Sequence, residues 1–243
     1  MKKIAVWFSC GAASAVAAKS TLLTYPDAEV RVLNTPVPEE DGDNQRFGQD
    51  VERWLGVPIE TVVNEHPDRR SCDDVWMTRY MSTPNGASCT KLIKKQARQQ
   101  WEKRNPGYEH VLGFTADEKH RHERFILTER PLIPVLIDLG ISKGDCYDII
   151  LNAGIDLPRM YRMGYPNANC VGCSKATSPT YWNHVRVCHP EVFEKRCEQS
   201  DRFGAKLVRY QGERIHLREL PPDAKGRPMK GMDFECGVFC EER

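Results

Sequence analysis

Apolar and polar positions along this chain follow two rhythms, one of short extended runs and one of helical spacing. Lys3 to Phe8 is almost continuously apolar, as a parallel strand covered on both faces should be. Ser9-Cys10-Gly11-Ala12-Ala13-Ser14 breaks the run, and Ala15 to Leu23 follows with small, helix-forming residues. Glu29 to Leu33 predicts a second strand. A helix over about Gln45 to Leu55, with Asp43 or Asn44 as its cap, ends at Gly56-Val57-Pro58 and leads to a third strand, Ile59 to Val63. His110 to Phe114 predicts another. This alternation of strand and helix argues for an α/β fold, a doubly wound parallel sheet with flanking helices.

The remaining pattern is helical or irregular. Helices are expected over Asp73 to Tyr80 and from a cap at Ser88 to about Arg104. Arg130 to Leu136 reads as extended, and further helices are expected over Cys146 to Asn152, Ser178 to Val187 and Glu191 to Phe203. From Gly212 onward Pro221, Pro222, Gly226, Pro228 and Gly231 predict an irregular tail. The expected division is a body over residues 1–210 and a tail over 211–243 that carries Cys236 and Cys240.

Composition supports a packed core: 40% of the 243 residues are hydrophobic and 28% charged. A formal charge of +1 gives no whole-molecule attraction to nucleic acid, although Lys91, Lys94, Lys95, Arg98, Lys103 and Arg104 would make one basic helix. The apolar start is too short for a signal peptide, and no run of about 18 apolar residues exists to span a membrane. Ten cysteines in a chain read without an export signal suggest a reducing, cytoplasmic setting, where thiols serve metal or redox chemistry.

Three stretches carry candidate chemistry. Cys170-Val171-Gly172-Cys173 can turn two thiols toward one centre, and could be a redox pair, half a zinc site or half an iron–sulfur site. Cys89, just inside a helix start, suits a metal ligand, a reactive thiol or a plain buried small side chain. Ser9 to Ser14, between a strand and a helix, is either an anion cradle or a plain tight turn. Asn34 opens an acidic loop at a strand's C-terminal end. The charge run Thr115 to Arg124 reads as a solvated face or as a phosphate- and magnesium-handling loop. Cys72, Cys146, Cys188 and Cys197 match no motif and read as buried or incidental thiols.

Four blocks together resemble the adenosine phosphosulfate and phosphoadenosine phosphosulfate (PAPS) reductase family, within the PP-loop group of adenine nucleotide alpha hydrolase-like folds. Ser9 to Ser14 resembles the PP-loop, Cys89 with Lys94 a cysteine–lysine block, and Gly113 with Asp117 and Glu118 a third block. The fourth is Leu157 to Tyr161 followed by Cys170 and Cys173. Cys89 lies 81 residues before Cys170 (170 − 89), close to the family's separation. Glu235-Cys236-Gly237 resembles the segment that carries the reductases' nucleophilic thiol.

The resemblance implies a sulfonucleotide reductase-like enzyme with a [4Fe–4S] cluster on Cys89, Cys170 and Cys173, with zinc as the second choice. Cys236 would be the nucleophile and Lys94 a catalytic cation. Ser9, Cys10, Gly11, Ala12, Ser14, Asn34, Gly113, Glu118, Arg121 and Arg124 would bind the nucleotide and its phosphates. The partners implied are an adenine nucleotide, a thioredoxin- or glutaredoxin-like reductant and a second copy of the chain.

Departures from the pattern keep a second activity in view. Cys10 and Ala13 replace a glycine and an aspartate of the loop, and of these Ala13 leans toward a reductase; Thr115, where an arginine for the phosphosulfate is usual, leans the other way, and Cys89 is single rather than paired. A fourth ligand would be Cys240, or one iron would be left open. The open arrangement is that of ATP- and Mg²⁺-dependent sulfurtransferases acting on tRNA or DNA bases.

Overall fold

Strand β1 (Lys3–Phe8) is the centre around which the other elements pack, and its side chains alternate between two separate cores. The computed structural model describes residues 1–81 and 86–229. After β1 come α1 (Ala12–Thr24), β2 (Glu29–Asn34), α2 (Asp43–Leu55), β3 (Ile59–Thr61) and α3 (Cys72–Thr78). Next are α4 (Gln96–Arg104), β4 (Glu109–Val111), α5 (Lys119–Thr128), α6 (Val135–Asp138), α7 (Lys143–Asn152) and α8 (Arg159–Arg162). Helices α9 (Pro179–Cys188) and α10 (Pro190–Arg202) precede a hairpin of β5 (Val208–Tyr210) and β6 (Glu213–Ile215). A four-stranded, all-parallel sheet in the order β3-β2-β1-β4 is flanked by helices, a Rossmann-like α/β arrangement.

Ile4, Val6 and Phe8 face a core shared with α1, α2, α6 and α7. Ala5 and Trp7 face the opposite one, with Ala97 and Trp101 of α4 and Phe125 of α5. Both faces of the sheet are therefore covered, as the continuous apolar run requires. A third core lies beside the sheet and joins α3, α9, α10 and the hairpin around Trp76, Tyr181 and Trp182. No helix among the described residues is long and apolar enough to cross a membrane.

Several boundaries differ from the sequence expectation for local physical reasons. Helix α1 begins at Ala12 rather than Ala15, because nothing in Ala12-Ala13-Ser14 resists helical geometry. Asp43 and Asn44 lie inside α2, and Asp41 Oδ1 accepts the Asp43 N–H at 2.9 Å in their place. Ser88 does not cap its helix; its hydroxyl donates to the Tyr80 carbonyl. The helix it enters carries a π-helical stretch over Thr90–Lys95 before α4. The tail expected to be irregular from Gly212 contributes β6, and Leu217, Leu220 and Ala224 are buried in the third core. Gln211 and Gly212 have φ of 49° and 87°, the left-handed pair that a two-residue hairpin turn needs.

Beneath the sheet the Trp7 indole N–H donates to His110 Nδ1 at 3.0 Å. His110 Nε2 is 3.3 Å from Arg130 and 3.4 Å from Glu102, whose charge is already shared by Arg98 and Arg130. Burial, with the Arg130 and Arg98 cations, pushes the imidazole down to about 4. The unfolded chain binds this proton near pH 6.5 and the folded chain does not. The contribution is therefore complete above pH 6.5 and is lost as pH falls toward 4, by up to about 3 kcal/mol. Urea midpoints measured across that window should fall with pH, and His110→Gln should flatten this slope.

Candidate active site

The turn after β1 is tied together by its own side chains. The Ser9 N–H donates to Ser14 Oγ at 3.0 Å, and the Ser14 hydroxyl donates to the Gly11 carbonyl at 2.9 Å. Ser14 is thus a loop-closing residue within the first turn of α1, not its cap. Cys10 takes a left-handed φ of 56°, the conformation glycine occupies without strain, and its buried thiol accepts from Asn34 Nδ2 at 3.5 Å. Burial pushes that thiol up to about 12. The segment after β4 comes very close to the turn: a Cβ on Gly113 would lie 2.8 Å from the Ser14 nitrogen. Only glycine permits that approach.

These turns border a cleft with about 930 Å³ of empty space, part of it open to solvent. It lies at the C-terminal ends of β1, β2 and β4, where the strand order reverses, the usual ligand position in such sheets. The first-turn N–H groups of α1 lack partners within the helix, and the helix dipole favours an anion there. Seven of the sequence-predicted residues line the cleft: Ser9, Gly11, Ser14, Asn34, Lys94, Gly113 and Glu118. Cys10 and Ala12 are buried within the turn behind it. Arg121 pairs with Glu118 and covers the Phe114 ring at 5.5 Å, while Arg124 is exposed on α5, off the cleft wall.

The pattern did not single out Trp7, Thr35, Lys143 or Asn167, which also line the cleft. Lys143 Nζ donates to the Pro166 carbonyl at 3.1 Å and lies 3.4 Å from Asn167 Oδ1. Tyr161, within a block that the sequence did mark, presents its hydroxyl 3.4 Å from the Ala12 N–H. Lys94 Nζ bonds Glu40 Oε1 at 2.9 Å, and both side chains are at least nine-tenths buried. Thr115 and Glu118 form a capping box, which fixes the carboxylate at the cleft wall.

Beyond Lys94 lies a group of thiols. Cys89, Cys170 and Cys173 are all buried, and the structure adds Cys72, at the start of α3. The Cys72 thiol lies near enough to those of Cys170 and Cys89 for them, with burial, to push it well above the usual thiol range. The Cys72 thiol, with the nearby Lys175 and Lys94 cations and the Thr90 N–H, instead pulls Cys89 down to about 7 against burial. Cys173 enters through the turn at Gly172, φ 67°, and its N–H donates to the buried Tyr181 hydroxyl at 3.0 Å. Burial pushes Cys146 and Cys197, which lie elsewhere, to about 12 and about 11.

Among the described residues, no group of three or more His, Cys, Asp or Glu side chains is arranged to hold a metal ion. By donor chemistry alone the thiols suit one: all are soft and buried, and Cys89 has lysine cations nearby that would favour an anionic iron–sulfur or zinc centre. Cys236 and Cys240 lie outside the described residues. The sequence matches no protein-family model and no curated protein.

Gly172 is the most constrained position in the thiol turn. A Cβ there would sit 3.1 Å from both Arg196 Cγ and Val192 Cγ1, on a backbone that L side chains rarely adopt. Gly204 has a similar φ of 62° but open space around it. Gly204→Ala should therefore cost about 1 kcal/mol and Gly172→Ala about 2–3 kcal/mol in urea unfolding. Equal costs would mean that the contacts around Gly172 do not matter.

Proposed function

We propose that this chain is a PP-loop sulfonucleotide reductase-like enzyme, acting on an adenine nucleotide that carries a phosphosulfate. The observation that carries the reading is a turn with the geometry of an anion cradle at the reversal point of a parallel sheet, with Lys94, paired to Glu40, both on the cleft wall and near the buried Cys89 thiol. The Ser9–Ser14 turn would hold phosphate through backbone N–H groups and hydroxyls, with Gly113 allowing the close packing. Lys94 would meet the developing charge on the leaving phosphate from a water-poor position.

In the reaction, the Cys236 thiolate attacks the sulfate sulfur. The sulfur–oxygen bond breaks, and the nucleotide phosphate leaves with the electron pair. The S-sulfocysteine is then reduced by a dithiol of the thioredoxin or glutaredoxin class. That dithiol becomes a disulfide, and sulfite is released. Cys89, Cys170 and Cys173 would hold a [4Fe–4S] group, an anionic centre that would be balanced by the Lys94 and Lys175 cations beside the nucleotide site.

A second reading draws on one observation, the Glu118 carboxylate on the cleft wall where a phosphosulfate would favour a cation. A carboxylate there suits Mg²⁺-bound ATP and a sulfurtransferase acting on a nucleic acid base.

The two readings separate on product. Anaerobic protein given a phosphosulfate nucleotide and reduced thioredoxin should release sulfite. Cys236→Ser should abolish that release and keep its iron. Loss of the iron in this variant would remove Cys236 as nucleophile. Pyrophosphate release from ATP, with no sulfite from either phosphosulfate nucleotide, would select the sulfurtransferase. In a Glu40→Gln background Lys94→Met removes the cation without stranding a buried carboxylate. It should weaken nucleotide binding about tenfold to hundredfold by calorimetry.

A further inference from the structure

Cys72 has no sequence motif, yet two independent anchors hold its turn against the Cys170–Cys173 turn. Glu39 is the first. Its backbone carbonyl accepts the Val171 N–H at 3.0 Å, and its carboxylate Oε1 accepts from the Ser71 hydroxyl at 2.8 Å and the Asp73 N–H at 3.1 Å. Residues on both sides of Cys72 are thus fixed to the same glutamate as the residue after Cys170. Arg196 is the second anchor. It is 2% exposed, donates from Nε to the Gly172 carbonyl at 3.1 Å, and pairs through Nη1 with Asp73 Oδ1 at 2.9 Å. Its guanidinium also covers the Trp76 ring of α3 at 4.7 Å. A buried arginine shared between the two turns leaves Cys72 little freedom to point elsewhere.

We propose that Cys72 is the fourth protein ligand of the metal centre held by Cys89, Cys170 and Cys173. This rests on reading that thiol group as a metal centre. Cys72, Cys89 and Cys170 share one buried core, and Cys72 has both of the other two thiols as neighbours. A spacing of 17 residues (89 − 72) hides the relation in the sequence, because it arises from the fold of α3 against the Cys170–Cys173 turn. Four chain thiols close the centre, as in structural cysteine sites. No ligand is then needed from Cys240, no open position remains for sulfur transfer, and Cys236 is free to act as a nucleophile.

The test uses the full chain purified anaerobically, with iron, acid-labile sulfide and zinc counted and metal loss to a chelator followed over time. Wild type should retain its metal, Cys188→Ser should match it, and Cys72→Ser should lose it at least about tenfold more readily. Cys72→Ser with wild-type content and retention would overturn the proposal while leaving the metal centre standing. A wild-type protein with neither iron nor zinc would overturn both. A footprint on wild type alone guards against a misfolded variant. On chelation Cys72 should become alkylated together with Cys89, Cys170 and Cys173, while Cys146 and Cys197 stay protected. Cys72 equally labelled before and after chelation, while the other three change, would overturn the assignment.

Discussion

The buried ion pair between Lys94 and Glu40 is the constraint on which the rest of the site depends. Each side chain is at least nine-tenths buried, and neither charge is tolerable there without the other. Lys94 stands on the cleft wall and contributes to the positive potential at Cys89. Glu40 follows Glu39, which fixes the Val171 turn and the Ser71–Asp73 turn at once. Two consecutive glutamates thus connect the cleft with the thiol group. The π-helical stretch that carries Lys94 is an irregularity of the kind that clusters at functional sites.

The other constraint is the closeness of two backbones at the sheet. Gly113 lies so near the first turn of α1 that no side chain fits between them. The turn after β1 is held from the inside by Ser9 and Ser14, and from the outside by the segment after β4. A turn fixed from both sides would need little reorganisation to receive an anion, which is where binding energy is otherwise lost.

Much of this was legible in the chain. The apolar run of β1, its loop and the following small-residue helix declared a parallel α/β sheet, because continuous apolarity in a short strand requires two covered faces. The Ser9–Ser14 turn, Lys94, Gly113 and Glu118 were found as motifs, and all line one cleft. What escaped was set by tertiary packing. Lys143 and Asn167 reach the cleft from α7 and the segment before Cys170, and no local spacing announces them. Cys72 looked incidental because its partners are 17 and 98 residues away, at Cys89 and Cys170 (89 − 72 and 170 − 72). The hairpin of β5 and β6 was hidden by a Gln211-Gly212 turn that lacks the usual asparagine or aspartate.

The central claim is that the cleft and the thiol group are one site, coupled across Lys94 and Glu40. The most direct measurement is a titration of the anaerobic, metal-loaded protein with a phosphosulfate adenine nucleotide, watching the visible and electron paramagnetic spectra of the metal centre. The account predicts a saturable spectral change that tracks nucleotide binding measured independently. Nucleotide that binds and leaves those spectra untouched would contradict the coupling, and nucleotide that does not bind would contradict the cleft itself.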